Sequence, residues 1–213
     1  MKLKRLPLIL TVTLVVGCAS HAAEMRLSDY IRPMVGTKGE EGNTYPGPSA
    51  PFGMVQLSPD TDTTNWNTDA GYTYADPTIL GFSLTHLTGT GCPDLGDFLF
   101  QPQVGTPALV AGDKDHPEIG YQSTYSHTEE TAAAGYYQVL LKKSGINVEL
   151  TAGERAGMFR FTFSAAPDAS ILTDLAHLIS GGRWRVSQSH LRIEDNSTIT
   201  GFHIVNGDRK AHV

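Results

Sequence analysis

Four side chains able to do chemistry fall within a dozen residues: His86, Cys92, Asp94 and Asp97, in the string HLTGTGCPDLGD. An imidazole, a thiol and two carboxylates so placed could bind a metal, form a thiolate nucleophile, share acid–base work or read a polar ligand. Zinc sites carry paired C-x-x-C or H-x-x-x-H spacing, and one Cys six residues from one His does not supply it. Calcium wants several carboxylates and carbonyls from one loop; Asp60, Asp62 and Asp69 are at hand, but no EF-hand pattern occurs. No metal ligand is therefore assigned. A Cys92–His86 dyad would need a thiol activated by a base brought near in space, and nothing in the local sequence activates this one. Asp94 and Asp97 could be posed as the acid and base of glycoside hydrolysis, yet aspartates in glycine-rich loops generally accept backbone N–H groups and shape the turn. No nucleophile elbow, P-loop or dinucleotide fingerprint is present. Trp66, Tyr72, Tyr74 and His86 suit a sugar, whose apolar ring face stacks on aromatic rings while polar groups read its hydroxyls. For Trp66 two readings stand: an exposed stacking ring, or a ring folded back on the rim of the core.

Such a cluster needs a rigid support. Gly89, Gly91 and Gly96 run through it, and ordering so many glycines is costly unless backbone must meet something closely. Residues 79–87 read as a strand leading in, and 98–100 as the start of one leading out. The apolar run 54–57 reads as strand-like, after a loop ordered by Tyr45 and Phe52. Beyond residue 103 the chain becomes a succession of strands, at 121–126, 136–142, 146–151, 159–163, 171–178, 191–193 and 198–205. Phe159, Phe161 and Phe163 alternate with Arg160 and Thr162, the period of a half-buried strand. Short strands joined by turns predict an all-β fold, an antiparallel β-sandwich spanning residues 24–213 as one domain. Lys210-Ala211-His212-Val213 ends inside a strand-like run, which would leave a sheet edge unpartnered. On that reading the sandwich is incomplete at its C-terminal end and the chain truncated.

The 213 residues carry a formal net charge of −6 and no basic stripe, which argues against a nucleic-acid partner. Residues 1–23 read as a signal peptide: Lys2, Lys4 and Arg5 precede an apolar run, 6–16, too short to span a bilayer. Val15-Val16-Gly17-Cys18 resembles a lipobox with Cys18 as the lipidated residue, while Ser20-His21-Ala22 fits ordinary cleavage. Either exit implies export, to the periplasm or as an outer-membrane lipoprotein of a Gram-negative bacterium. Cys92 is then left alone, as a buried core thiol or a ligand contact.

The segments Tyr45-Pro46-Gly47, APFGMVQLSPD at 50–60, GFS at 81–83 and HLTGTGCPDLGD at 86–97 resemble glycoside hydrolase family 92, the calcium-dependent exo-α-mannosidases. Gly135-Tyr136-Tyr137, Glu149-Leu150-Thr151-Ala152 and Arg160-Phe161-Thr162-Phe163 continue the resemblance. Met158-Phe159 stands where the family often has a histidine. The resemblance implies an N-terminal β-sandwich truncated before a catalytic (α/α)6 domain, which would hold the acid, the base and most calcium ligands. It implies inverting hydrolysis of terminal α-linked mannose from glycans, in a cleft that sandwich loops help to form. Trp66, His86, Cys92 and Asp94 are the expected lining, with Gly89, Gly91, Gly96 and Asp97 shaping the loop. No catalytic residue is assigned to this chain. A stand-alone carbohydrate-binding sandwich and an inactive truncated product are the alternatives.

Overall fold

The computed structural model describes residues 25–38, 42–113, 115–164 and 167–206. The leader with Cys18, and residues 210–213, lie outside the described residues. In chain order the strands are β1 (Ser58–Asp60), β2 (Thr78–Ile79), β3 (Gly81–Ser83), β4 (Leu99–Val104), β5 (Ser123–Thr124), β6 (Glu130–Ala133), β7 (Tyr136–Leu141), β8 (Ile146–Ala152), β9 (Gly157–Thr162), β10 (Ala169–Asp174), β11 (Arg185–Ile193) and β12 (Ile199–Asn206).

Alternation at a period of two builds the most regular layer. Tyr137, Val139 and Leu141 of β7 and Ile146, Val148 and Leu150 of β8 all turn inward. Their neighbours stay half-exposed, as the pleat requires. Antiparallel pairing then runs β6-β7-β8-β9, with Val139 opposite Val148 and Leu150 opposite Phe159. A second antiparallel sheet, β1-β3-β4-β10, packs on it. Leu57, Ile79 and Phe82 join the inward row in one apolar cluster. Phe82 meets Phe161 at 6.5 Å and Phe100 meets Phe159 at 5.2 Å between ring centroids. Each fully buried aliphatic or aromatic side chain contributes about 1.5–3 kcal/mol relative to exposure, so this inter-sheet layer is the main source of stability. The expected all-β sandwich of antiparallel sheets is the fold observed.

Local departures have local causes. The strand expected at 79–87 is broken. β2 pairs with β5 and β3 with β1 and β4, and the chain leaves the ladder after Ser83 as His86 turns inward. The run 54–57 forms only an isolated bridge from Gln56 to Ser49, and the Phe52 ring is fully exposed rather than packed. Order there comes from the backbone, with Gly53 N–H donating to Ala50 O and Met54 N–H to Glu154 O. β11 and β12 form a hairpin with a bulge between Val186 and Gln188, and most of its side chains are exposed.

Candidate functional site

The site is supported from inside by a carboxylate. Asp60 ends β1 with its side chain fully buried. Its Oδ1 lies 2.9 Å from His86 Nε2 and its Oδ2 2.7 Å from His177 Nε2. His86 Nδ1 lies 2.7 Å from Gln56 O, a carbonyl that can only accept, so both ring nitrogens of His86 are placed to donate. Burial pushes the Asp60 carboxyl upward, but the charges and hydrogen bonds of His86 and His177 outweigh it and hold the group well below the ordinary carboxylate range. Asp60 thus binds the glycine-rich segment to the distant segment 177–184.

A second buried carboxylate does the same one strand along. Asp97 Oδ1 accepts from His203 Nε2 at 2.6 Å and its Oδ2 accepts from the Thr85 hydroxyl at 2.6 Å. The hydrogen bond to Asp97 raises the His203 pKa against the opposing effect of burial. Phe98, at the strained φ of 53°, stacks on the His203 ring at 4.6 Å. Gly96 is required twice over. Its φ is +78°, and an added Cβ would lie 2.7 Å from Ile179 Cγ1. Gly89 and Gly91 also have positive φ but face open space, so they serve backbone conformation alone.

On this support three loops meet. Asp62 caps the loop after β1 by accepting from Thr64 N–H at 2.8 Å and Asn65 N–H at 3.3 Å, which presents Trp66. The Arg183 guanidinium lies 3.8 Å from the centroid of the Trp66 ring, a cation–π contact. Gly181 threads between Trp66 and Pro93, where a Cβ would approach Pro93 Cγ to 2.6 Å and Trp66 Cε3 to 2.9 Å. Trp184 Nε1–H donates to Pro93 O at 3.3 Å, and Ile179 N–H donates to Leu95 O at 2.9 Å. Trp66 is therefore covered on one side by Arg183 and Gly181 yet remains half-exposed.

Beside it lies an open cavity of about 130 Å³ lined by Asn43, Trp66, Asn67, Asp69 and Gly91. Asp69 is buried, and the Asn43 amide, oriented to donate, reaches its two carboxylate oxygens at 3.1 and 3.3 Å. The lining thus combines an aromatic face, two amides and a carboxylate, groups whose chemistry suits a hydroxylated ring. It holds a single carboxylate, so it offers no acid–base pair of its own.

The expected lining residues separate. Of Trp66, His86, Cys92 and Asp94 only Trp66 borders this cavity, together with Gly91, which was expected to shape the loop. Cys92 is half-buried on the next residue, in a turn closed by the Thr90 hydroxyl donating to Cys92 O at 2.9 Å. Asp94 accepts from Leu95 N–H at 2.9 Å. His86, expected in the lining, does not face this cavity: its side chain is fully buried, its ring drawn inward by Asp60. Tyr72 is likewise interior, donating to Glu130 Oε1 at 2.9 Å, and burial pushes its phenol far above the ordinary range. Tyr74 stacks on His127 at 3.6 Å. Asn43, Arg183 and Trp184 escaped the sequence reading. The only signal pointing to Arg183 and Trp184 is the Gly181-Gly182 pair before them. Among the described residues no group of three or more His, Cys, Asp or Glu is arranged to hold a metal.

The description "Glycosyl hydrolase family 92 N-terminal domain" matches residues 30–213. A family GH92 α-mannosidase from Bacteroides thetaiotaomicron, solved in complex with mannoimidazole, is 47% identical with a TM-score of 0.82, over 86% of this chain and 24% of that one. The GH92 glycosyl hydrolase ccman5 is 27% identical with a TM-score of 0.68, over 83% of this chain and 24% of that one. An uncharacterized secreted glycosidase of Arthroderma benhamiae is 27% identical over 91% of this chain and 26% of its own length. The chain thus spans about a quarter of the length of these relatives.

Proposed function

This chain belongs to glycosyl hydrolase family 92 as its N-terminal domain, and from that premise we propose that it forms one wall of the mannose-binding cleft of an exo-acting α-mannosidase. The observation that carries the reading is the Trp66 ring, backed by Arg183 and set beside the Asn43–Asp69 pair on the face of the glycine-rich motif. A pyranose laid on Trp66 would bring its hydroxyls to Asp69 and the amides of Asn43 and Asn67. Cys92 and Asp94, on the adjoining turn, complete the wall. The likeness to an α-mannosidase solved with mannoimidazole supports mannose as the sugar.

Hydrolysis needs two carboxyl groups flanking the scissile bond, set about 6.5–9.5 Å apart in an inverting enzyme to admit a water. The cavity lining has one, Asp69, so on this reading the cavity serves binding and the acid–base pair lies elsewhere than in this lining. Calcium does not fit the described carboxylates either: Asp60 is held between two imidazoles and Asp62 caps a turn. On this reading most ligands of a calcium ion lie outside the described residues, among which no group of three or more His, Cys, Asp or Glu is arranged to hold a metal.

Export belongs to the same proposal, supported by the basic and apolar leader and by the name of the secreted fungal relative. Lipidation at Cys18 would anchor the protein in a Gram-negative envelope. In that case Cys18→Ser releases it from the membrane fraction, whereas unchanged partitioning would point to ordinary cleavage. The activity itself is tested by following full-length protein on a methyl α-mannoside by proton NMR. The expected first product is β-mannose; α-mannose would contradict inversion, and no hydrolysis of any α-mannoside would contradict the assignment.

A further inference from the structure

At the far end of β4 from the glycine-rich loop lies a larger open cavity of about 440 Å³, within the usual range of roughly 300–1,000 Å³ for small-molecule sites. Six strand residues separate the two ends, roughly 17 Å at about 3.3 Å per residue. Gln101 and Gln103 project to the same face of β4. Gln103 is paired at both ends of its amide with the backbone of one residue: its Oε1 accepts from Ala108 N–H at 2.8 Å and its Nε2 donates to Ala108 O at 3.0 Å. Gln101 is not. Its Nε2 donates to Tyr121 O at 2.9 Å, which fixes the amide, and its Oε1 is buried with no hydrogen-bond partner. The residue is 1% exposed and lines the cavity. Ser144, from the turn between β7 and β8, also lines it, and its hydroxyl is likewise buried without a partner. Leaving buried acceptors and hydroxyls unpaired is costly.

The rest of the lining narrows the ligand. Lys143 points its ammonium at the carbonyls of Pro117, Glu118 and Gly120, at 3.0, 3.2 and 2.6 Å, so its charge closes a loop and is not presented to an anion. Pro102 supplies an apolar wall, and Thr106, an exposed residue, also lines the cavity. A single water, occupying about 30 Å³ in the liquid, would fill little of this volume. We propose that the cavity is a binding site for one neutral sugar residue, a hydroxyl of which donates to Gln101 Oε1 while another pairs with Ser144 Oγ. The proposal stands on this lining and not on the mannosidase reading.

Saturation-transfer NMR on the intact protein tests it, with the methyl glycosides of mannose, glucose, galactose and N-acetylglucosamine as probes. At least one glycoside is expected to bind in a Trp66→Ala variant. That binding should weaken about fivefold in Ser144→Ala, the loss of one neutral hydrogen bond, and vanish in Thr106→Trp, which plugs the cavity from an exposed position. Thermal melting checks that each variant folds. Loss of all binding in Trp66→Ala, or binding indifferent to Thr106→Trp, would overturn the proposal. So would a crystal soaked in these glycosides that shows only water on Gln101 Oε1.

Discussion

Replacing Asp60 by Asn keeps the size of the side chain and removes its charge. In the native chain the carboxylate is fully buried and accepts from two imidazoles, at 2.9 and 2.7 Å. An Asn offers one acceptor oxygen, so one imidazole would face an amide N–H₂ donor instead. Removing one partner of a buried ion pair costs about 3–5 kcal/mol, and the lower end applies because one bond survives. For a chain of this size 1 kcal/mol moves the melting point by roughly 2–4 °C, so Asp60→Asn should lower Tm by about 6–12 °C. The loss is directional, since His177 precedes the segment that carries Ile179, Gly181 and Arg183. The variant should therefore release Arg183 from Trp66 and alter tryptophan fluorescence below the main transition. The acid limb changes too. A lowered carboxyl pKa contributes stability above the ordinary value of 3.8 and loses it as pH falls through the native value, which lies well below. Wild-type stability should thus fall steeply in strong acid, and Asp60→Asn should flatten that limb. Thermal and acid denaturation followed by circular dichroism and fluorescence would decide it. A Tm within about 2 °C of wild type, with an unchanged acid limb, would refute the claim that Asp60 holds these segments together.

Three further outcomes follow from the same geometry. His203 has a raised pKa through Asp97, so its contribution is complete below about 6.5 and is lost as pH rises through the higher native value; the protection of β12 amides relative to their intrinsic exchange rates should fall over that range, and His203→Gln should remove that fall. Gly96→Ala meets both an unfavourable φ and the Ile179 side chain and should cost about 1–3 kcal/mol, read from urea unfolding; a neutral result would mean that the loop gives way freely. On the proposed calcium-dependent hydrolysis, EDTA should abolish turnover of an α-mannoside without shifting amide exchange in residues 58–104, whereas exchange that changes there would place a calcium ligand within this chain.

The strand layer was legible because its signal is local. The runs 136–142 and 146–151 and the alternation of Phe159, Phe161 and Phe163 are written in contiguous residues, and no distant residue is needed to read them as strands. The glycine-rich loop was legible as an ordered polar loop for the same reason, its glycines and polar residues being contiguous. What escaped the reading depends on long-range pairing. His86 looked like a lining residue because its partners, Asp60 and Gln56, are recognisable only once β1 lies beside β3. His177 is 117 residues from Asp60, and Arg183 reaches Trp66 only through the packing of Gly181 against Pro93. Tyr72 looked suited to a sugar by type, but burial beside Glu130 gives it a structural partner instead. Residue type showed which groups could bind a sugar; topology decided which of them face outward.

The most direct test is the kinetics of the full-length protein on an aryl α-mannoside, comparing wild type with Trp66→Ala and with Arg183→Gln. If Trp66 forms the wall of the cleft, kcat/KM should fall about tenfold or more on its truncation, equivalent to about 1.4 kcal/mol of lost contact, with a smaller fall for Arg183→Gln. Wild-type kcat/KM in a folded Trp66→Ala enzyme would contradict the account and move the mannose site elsewhere on the molecule.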